Sequence, residues 1–276
     1  MMDKTVKQDK VGFIGGGQMA TALLTGAMRS GVLQPSSIVV VESSESRRKQ
    51  LKQMLPEINT TAEFSDASSC SQVIIALKPH IVRQVGKSLG DALAGDRLWV
   101  SVAAGVSLEE LSKLLSSQRI VRVMPNTPAQ VGAGAAAITS FSMISADDLA
   151  WVQRLMESVG TCVRVDQSQM HAVTGIAGSS PAYNYTIIEA MADGGVLGGL
   201  SREVALQLAA QSVLGAAKMV LDSGLHPGQL KDQVTSPAGT TIAALRTLEA
   251  AGIRSAMIEA VHAATSRSKE LENSQG

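Results

Sequence analysis

The chain has 276 residues, enough for one large domain or two of ordinary size, each with a core of its own; two are expected. Lysine plus arginine and aspartate plus glutamate both number 24, so no overall field draws the protein to nucleic acid or to an anionic membrane, and a small-molecule partner is the expectation. Cys70 and Cys162 lie far apart outside any CxxC pattern, and His80, His171, His226 and His262 show no ligand spacing, so buried free thiols, surface or packing histidines and no metal site are expected.

Met1 to Lys10 is polar and leads directly into an apolar run, so no signal peptide is expected. Residues 11–20, Val-Gly-Phe-Ile-Gly-Gly-Gly-Gln-Met-Ala, read as a strand, a tight turn and a helix start. Gly15 permits the turn, Gly17 admits a pyrophosphate close to the backbone, and Ala20 is the small residue where helix packs on strand. The N–H groups of the helix start, at Gln18 and Met19, then face phosphate. Helix continues over 21–30, Gly31 stops it, and 38–41 is a β-branched strand ending at Glu42-Ser43-Ser44. Glu42 lies about 20 residues past the glycines, where an acidic side chain can hold an adenosine ribose. Ser43, Ser44, Arg47 and Arg48 instead suit a 2′-phosphate, and all of these residues also suit a solvated helix start.

Residues 73–77 form a continuous apolar run, as in a strand covered on both faces, and Lys78-Pro79 ends it. Proline fits the first turn of a following helix, which puts Lys78 at the carboxyl edge of the sheet, as a ligand contact or as an ordinary exposed lysine. Residues 98–102 repeat the pattern and end in Ala103-Ala104-Gly105, small enough for a flat ring to pass the backbone closely. Residues 120–123 are another strand, followed by the stiff loop Met124-Pro125-Asn126-Thr127-Pro128. Strands over 133–139 and 161–165, with a helix over 146–159 between them, complete a Rossmann-like doubly wound α/β sheet in residues 1–166.

Residues 167–276 read as all helical. Ser180-Pro181 looks like an N-cap and first helical position. Ala182, Thr186, Ala190, Gly194 and Gly198 then recur every fourth residue, a stripe on which another helix backbone can approach closely. Further helices are expected over 201–222, 226–235, 240–250 and 253–272. With 3% aromatic residues this half must cohere through aliphatic and small-residue contacts, which favours interlacing with another subunit over a compact monomeric bundle. The longest apolar-looking stretch, after Pro181, carries Glu189 and Asp193, so a soluble, cytoplasmic protein with no membrane partner is expected. Two helices are joined by Thr235-Ser236-Pro237-Ala238-Gly239-Thr240-Thr241, where hydroxyls and free N–H groups collect at a helix N-terminus. Such a segment is either a small-carboxylate site or a well-capped helix.

In these segments, and in Ala76-Leu77-Lys78-Pro79, Val100 to Gly105, Met124 to Pro128, Ala172 to Gly175, Pro181 to Tyr183, Ala192 to Gly195 and Lys231 to Leu245, the chain resembles the Δ1-pyrroline-5-carboxylate reductases of proline biosynthesis. The resemblance implies a dinucleotide domain followed by a helical dimerisation domain, a homodimer assembling into a larger homo-oligomer, and an active site between subunits. It places a nicotinamide along Ala76, Leu77, Lys78, Pro79, Val102, Ala103 and Ala104, with Asn126 also at the cofactor. It places the substrate at Val234, Ser236, Gly239, Thr240 and Thr241, with the Thr241 hydroxyl facing the imine nitrogen. Three positions depart from the family pattern: Ser180 and Ala238 stand where glycine is usual, and Glu63 falls near a usual asparagine. NADPH is the expected cofactor, with NADH tolerated. A β-hydroxyacid dehydrogenase would share the layout, but between Gly175 and Leu200 there is no lysine to serve as its catalytic base. A dinucleotide-binding module without turnover is the remaining alternative.

Overall fold

The computed structural model describes residues 10–273; the reading of Met1 to Lys10 as a polar stretch without a signal peptide falls, save for Lys10 itself, outside the described residues. In chain order the first elements are β1 (Lys10–Ile14), α1 (Gln18–Arg29), β2 (Ile38–Val41), α2 (Glu45–Met54), β3 (Asn59–Thr61), β4 (Cys70–Ile75), α3 (Pro79–Ala92) and β5 (Leu98–Ser101). There follow α4 (Leu108–Leu115), β6 (Ile120–Met124), β7 (Gly134–Ser140), α5 (Ala146–Glu157) and β8 (Gly160–Arg164). The rest is helical: α6 (Met170–Val173), a π-helical turn (Thr174–Gly178), α7 (Ser180–Leu197), α8 (Arg202–Ser223), α9 (Pro227–Gln233), α10 (Thr240–Ala250) and α11 (Ile253–Asn273).

The eight strands form one sheet in the order β3-β2-β1-β4-β5-β6-β7-β8. All pairs are parallel except β6 with β7. That reversal follows from chain length, because residues 125–133 are too few for a parallel crossover, which needs about a dozen or more. The sheet buries apolar side chains on both faces. Phe13, Leu23, Val40, Ile74 and Val100 belong to one cluster, and Ile14, Val41, Val73, Ile75 and Trp99 to the other. Alternate residues of β1 therefore serve opposite layers, which is why its sequence reads as a continuous apolar run.

The structure adds one strand to those expected and corrects two expectations. Strand β3 has no apolar run to announce it: Asn59-Thr60-Thr61 is an edge strand held by its ladder with Val39 to Val41. Strand β4 spans Cys70–Ile75 and not 73–77, so Ala76 and Leu77 lie beyond its end, at the carboxyl edge. The helical half opens before Ser180, through α6 and the π-helical turn, and Ser180 is the first residue of α7 rather than its cap. Pro181 lacks an N–H, so the carbonyl four residues earlier, that of Ala177, loses its helical donor at this point. The Asn126 Nδ2 donates to the Ala177 oxygen at 3.1 Å and takes the missing donor's place.

The chain divides into two compact units, residues 10–178 with 264–273, and Ser179–Ala263. In the first, the end of α11 is tied down by a hydrogen bond between Ser268 Oγ and His171 Nδ1 at 3.0 Å and by an ion pair between Glu272 and the buried Arg122 at 3.5 Å. In the second, α7 and α8 form a hairpin around Ala192, Ala205 and Ala209, with Ile188 against them. These three alanines are the only buried residues of 179–263, while Leu197 is 92% and Leu221 79% exposed. The stripe Ala182, Thr186, Ala190, Gly194 and Gly198 is exposed as well; α8 packs instead on the face holding Gly195, where an added Cβ would meet Ala205 Cβ at 3.0 Å. Helix α8 is long and apolar enough to cross a membrane by length and composition, and only 11% of its apolar 18-residue stretch is buried. It is thus a more apolar stretch than the segment after Pro181.

Candidate active site

The loops that leave β1, β2, β4, β5 and β6 gather at the carboxyl edge of the parallel strands, where the order places β1 between β2 and β4. Ligands of open α/β sheets bind at such a switch point. Gly15 occupies φ +97°, and a Cβ there would stand 2.7 Å from the Ala76 carbonyl oxygen, so glycine is required on both counts. Gly17 precedes α1 as its N-cap and has no atom within 4 Å of where a Cβ would be. No side chain caps α1 and its first turn holds no acidic residue. The N–H groups of Gln18 and Met19 are therefore left to an external acceptor, and the bare backbone at Gly17 gives a diphosphate room to approach.

The end of β2 is knitted to the glycine turn by its charged side chains. Glu42 accepts hydrogen bonds from Gly16 N–H and Ser44 N–H, both at 2.9 Å, so its carboxylate braces the glycine turn. Arg47 is drawn beneath the same turn: its Nε donates to the Gly16 carbonyl at 2.6 Å and its other two nitrogens to Thr21 Oγ1 and Gln50 Oε1. Arg48 bonds the Glu42 and Ser43 carbonyls through one nitrogen. Ser44 caps α2 by accepting from Arg47 N–H. A cleft lined by Gly15, Glu42, Ser43, Ala62, Phe64 and Leu77 lies alongside. Glu63, the departure from the family pattern, is exposed beside it and donates its N–H to Thr61 Oγ1.

Beyond β4, Lys78 is exposed and Pro79 begins α3. Beyond β5, Val102 N–H still bonds the Ile75 carbonyl, Ala103 is buried, and Ala104 is exposed in the turn that follows. Asn126 is buried, and its amide is engaged on both sides, accepting from Ala135 N–H at 2.9 Å and donating to Ala177 O. Its tie to Ala177 has no sequence signal beyond the proline at 181.

In the second unit the segment before α10 supplies a second uncapped helix start. Gly239 is the N-cap and makes no side-chain cap, so the alternative of a well-capped helix is not what forms. A Cβ on Gly239 would collide with Ser236 Oγ. The Thr235 hydroxyl turns back to the Lys231 carbonyl at 2.7 Å, and Val234 and Ser236 are exposed. Thr241 is half-buried, and among the described residues its hydroxyl has no hydrogen-bond partner. Ala238 sits at φ +54°, in the left-handed region, whereas Ser180 has no positive φ. Of the two positions where glycine is usual, only the first makes a demand on the backbone that glycine would meet more easily.

Both thiols are buried. Burial pushes Cys162 up to about 11 and raises Cys70 as well, so neither supplies a nucleophile. Among the described residues no group of histidine, cysteine, aspartate and glutamate side chains is placed to hold a metal ion.

Residues 167–271 match the family described as pyrroline-5-carboxylate reductase dimerisation, and residues 10–105 match NADP oxidoreductase, coenzyme F420-dependent. A pyrroline-5-carboxylate reductase of Pisum sativum is 45% identical over 262 residues, 95% of each chain. The chain belongs to the pyrroline-5-carboxylate reductase family. Among solved structures, a pyrroline-5-carboxylate reductase from Coxiella burnetii superposes with a TM-score of 0.90 at 34% identity, covering 96% of this chain and 99% of that one. The pyrroline carboxylate reductase of Plasmodium falciparum, solved with NADP bound, gives 0.83 at 31% identity over 96% and 98%. These relatives do not favour a dehydrogenase acting on hydroxyacids or a module without turnover.

Proposed function

We propose that this chain reduces L-1-pyrroline-5-carboxylate to L-proline, the last step of proline biosynthesis, with NADPH as the preferred reductant and NADH tolerated. The family relation across 95% of the chain carries this reading. The two uncapped helix starts give it a physical basis, one suited to a diphosphate and the other to a small carboxylate. When bound, the reduced nicotinamide supplies the hydride; the protein binds, orients and polarises. The α1 N–H groups and Gly17 receive the diphosphate, and the segments Ala76 to Pro79 and Val102 to Ala104 receive the nicotinamide. The free N–H groups at the start of α10 hold the substrate carboxylate, beside Val234 and Ser236. The Thr241 hydroxyl, unengaged by the protein, hydrogen-bonds the imine nitrogen. No strong protein acid is needed, because the imine is itself basic and becomes the better hydride acceptor once protonated.

The end of β2 supports the preference for NADPH. Glu42 spends its carboxylate on two backbone amides, and Arg48, unlike Arg47, keeps nitrogens unengaged next to Ser43 and Ser44. A 2′-phosphate there meets hydroxyls and a guanidinium. Comparing kcat/KM for the two cofactors tests this: Arg48→Ala should lower the value with NADPH about tenfold, a loss of the size expected for one charge-assisted contact, and leave NADH nearly unchanged. Equal losses for both cofactors would contradict it. We further propose that the exposed stripe on α7 packs across subunits to form a homodimer, the building block of a larger homo-oligomer, and that the protein works in the cytoplasm without nucleic-acid or membrane partners.

A further inference from the structure

Resting on the reading of the chain as a nicotinamide-dependent reductase, we infer that Arg83 is a positioning residue that fixes the spacing of the two segments flanking the nicotinamide. Arg83 lies in α3, one turn beyond Pro79, and its side chain is largely shielded. Its Nε donates to Glu110 Oε1 at 2.6 Å, and one terminal nitrogen donates both to Glu110 Oε2 at 3.1 Å and to the Gly105 carbonyl at 2.7 Å. A single guanidinium thereby joins α3, the β5–α4 loop and α4. Among the described residues no other side-chain hydrogen bond links α3 to that loop.

Each partner is itself held. Glu110 stands in the first turn of α4, where its own N–H bonds the Ser107 hydroxyl at 3.1 Å, so the carboxylate projects from a capped, rigid turn. Gly105 takes φ +67°, a turn geometry that leaves its carbonyl available to Arg83. At the start of the loop, Val102 N–H is tied to the Ile75 carbonyl of β4. The loop of Val102 to Gly105 is thus fastened at its first residue by the sheet and at its last by Arg83. The same arginine belongs to the helix whose N-terminus carries Lys78 and Pro79. The two walls assigned to the nicotinamide are connected through it, and the fork geometry of guanidinium on carboxylate fixes direction as well as distance. A lysine offers a point charge and cannot hold both partners in this plane.

The test compares a ligand that reaches the nicotinamide segments with one that does not. NADPH binding is titrated by fluorescence, and adenosine 2′,5′-bisphosphate, which lacks the nicotinamide half, by calorimetry. Arg83→Met should weaken NADPH about tenfold, as a misplaced wall does, while adenosine bisphosphate binds as in the unaltered protein. Arg83→Lys should recover part of the loss. Glu110→Gln keeps the Gly105 contact and weakens the fork, so it should give the same pattern at smaller size and serves if the methionine variant does not fold. Parallel weakening of both ligands, or unchanged NADPH binding in a folded variant, would overturn the assignment. If the unaltered protein binds NADPH yet fails to reduce the imine, the proposed function falls while the binding comparison still decides the role of Arg83.

Discussion

Among the described residues the Thr241 hydroxyl makes no hydrogen bond. Thr21, Thr174, Thr186, Thr235 and Thr247 each return their hydroxyl to the carbonyl four residues back, whereas Thr241, like Thr25 and Thr240, does not. Removing the hydroxyl therefore breaks no bond of the folded chain, and Thr241→Val should leave thermal stability close to unchanged. In catalysis the cost should sit near the lower end of the ~10²–10⁴ typical of acid–base groups, since much of the substrate supplies its own proton. At higher pH less substrate arrives protonated, so the deficit in kcat should widen, and Thr241→Ser should restore most activity. A pH profile of the valine variant that overlies the parent throughout would reduce Thr241 to a packing residue. Roles of this kind were only partly legible in the sequence. The hydroxyl cluster before α10 is visible in the sequence, but whether it caps the helix depends on which residue becomes the N-cap, and Gly239 has no side chain to do so. Glu42 was visible too, and its distance from the glycines pointed to a ribose. Its actual employment, by the Gly16 and Ser44 amides, depends on how close two strand ends lie.

At the scale of elements, the glycine turn, the apolar strands and the long helices could be read from pattern because each is a local preference repeated over several residues. What could not be read was decided by neighbours: β3, which is polar and exists by pairing with β2, and the π-helical turn before α7. That turn is explained by Pro181 and Asn126 together. Asn126→Ala leaves both the Ala177 carbonyl and the Ala135 N–H without their partner and should cost about 1–3 kcal/mol for each. Pro181→Ala returns a backbone N–H four residues past Ala177, and a donor from within the helix can then replace the side chain. In a double-mutant cycle the two changes should therefore be less than additive, with the pair more stable than the sum predicts. Additive losses measured by denaturant unfolding would mean that the Asn126 contact is incidental to the proline.

For the molecule as a whole, the imbalance between the units is the main physical fact. The first has two apolar layers about a sheet, whereas residues 179–263 bury three alanines and leave Leu197, Leu221 and Ile258 widely exposed. A segment this thin in core does not hold its shape unaided, and the match of 167–271 to a dimerisation family supplies the reason. Gly194 provides a clean probe. No atom lies within 4 Å of where a Cβ on the exposed Gly194 would stand, so Gly194→Leu should leave the α7–α8 hairpin in place. Placed on the exposed stripe, it should block association, lower the sedimentation coefficient and make thermal stability fall through loss of the partner. A variant that sediments as the parent does would remove the stripe from the interface. The central claim is that this architecture reduces a cyclic imine with a nicotinamide cofactor. The most direct measurement follows the loss of NADPH absorbance with L-1-pyrroline-5-carboxylate and, in parallel, the gain of NADPH absorbance with a β-hydroxyacid and NADP. Turnover of the imine is expected, with L-proline formed in equal amount to the NADPH consumed and no reaction of the hydroxyacid; turnover of the hydroxyacid, or NADPH binding with no proline formed, would overturn the assignment.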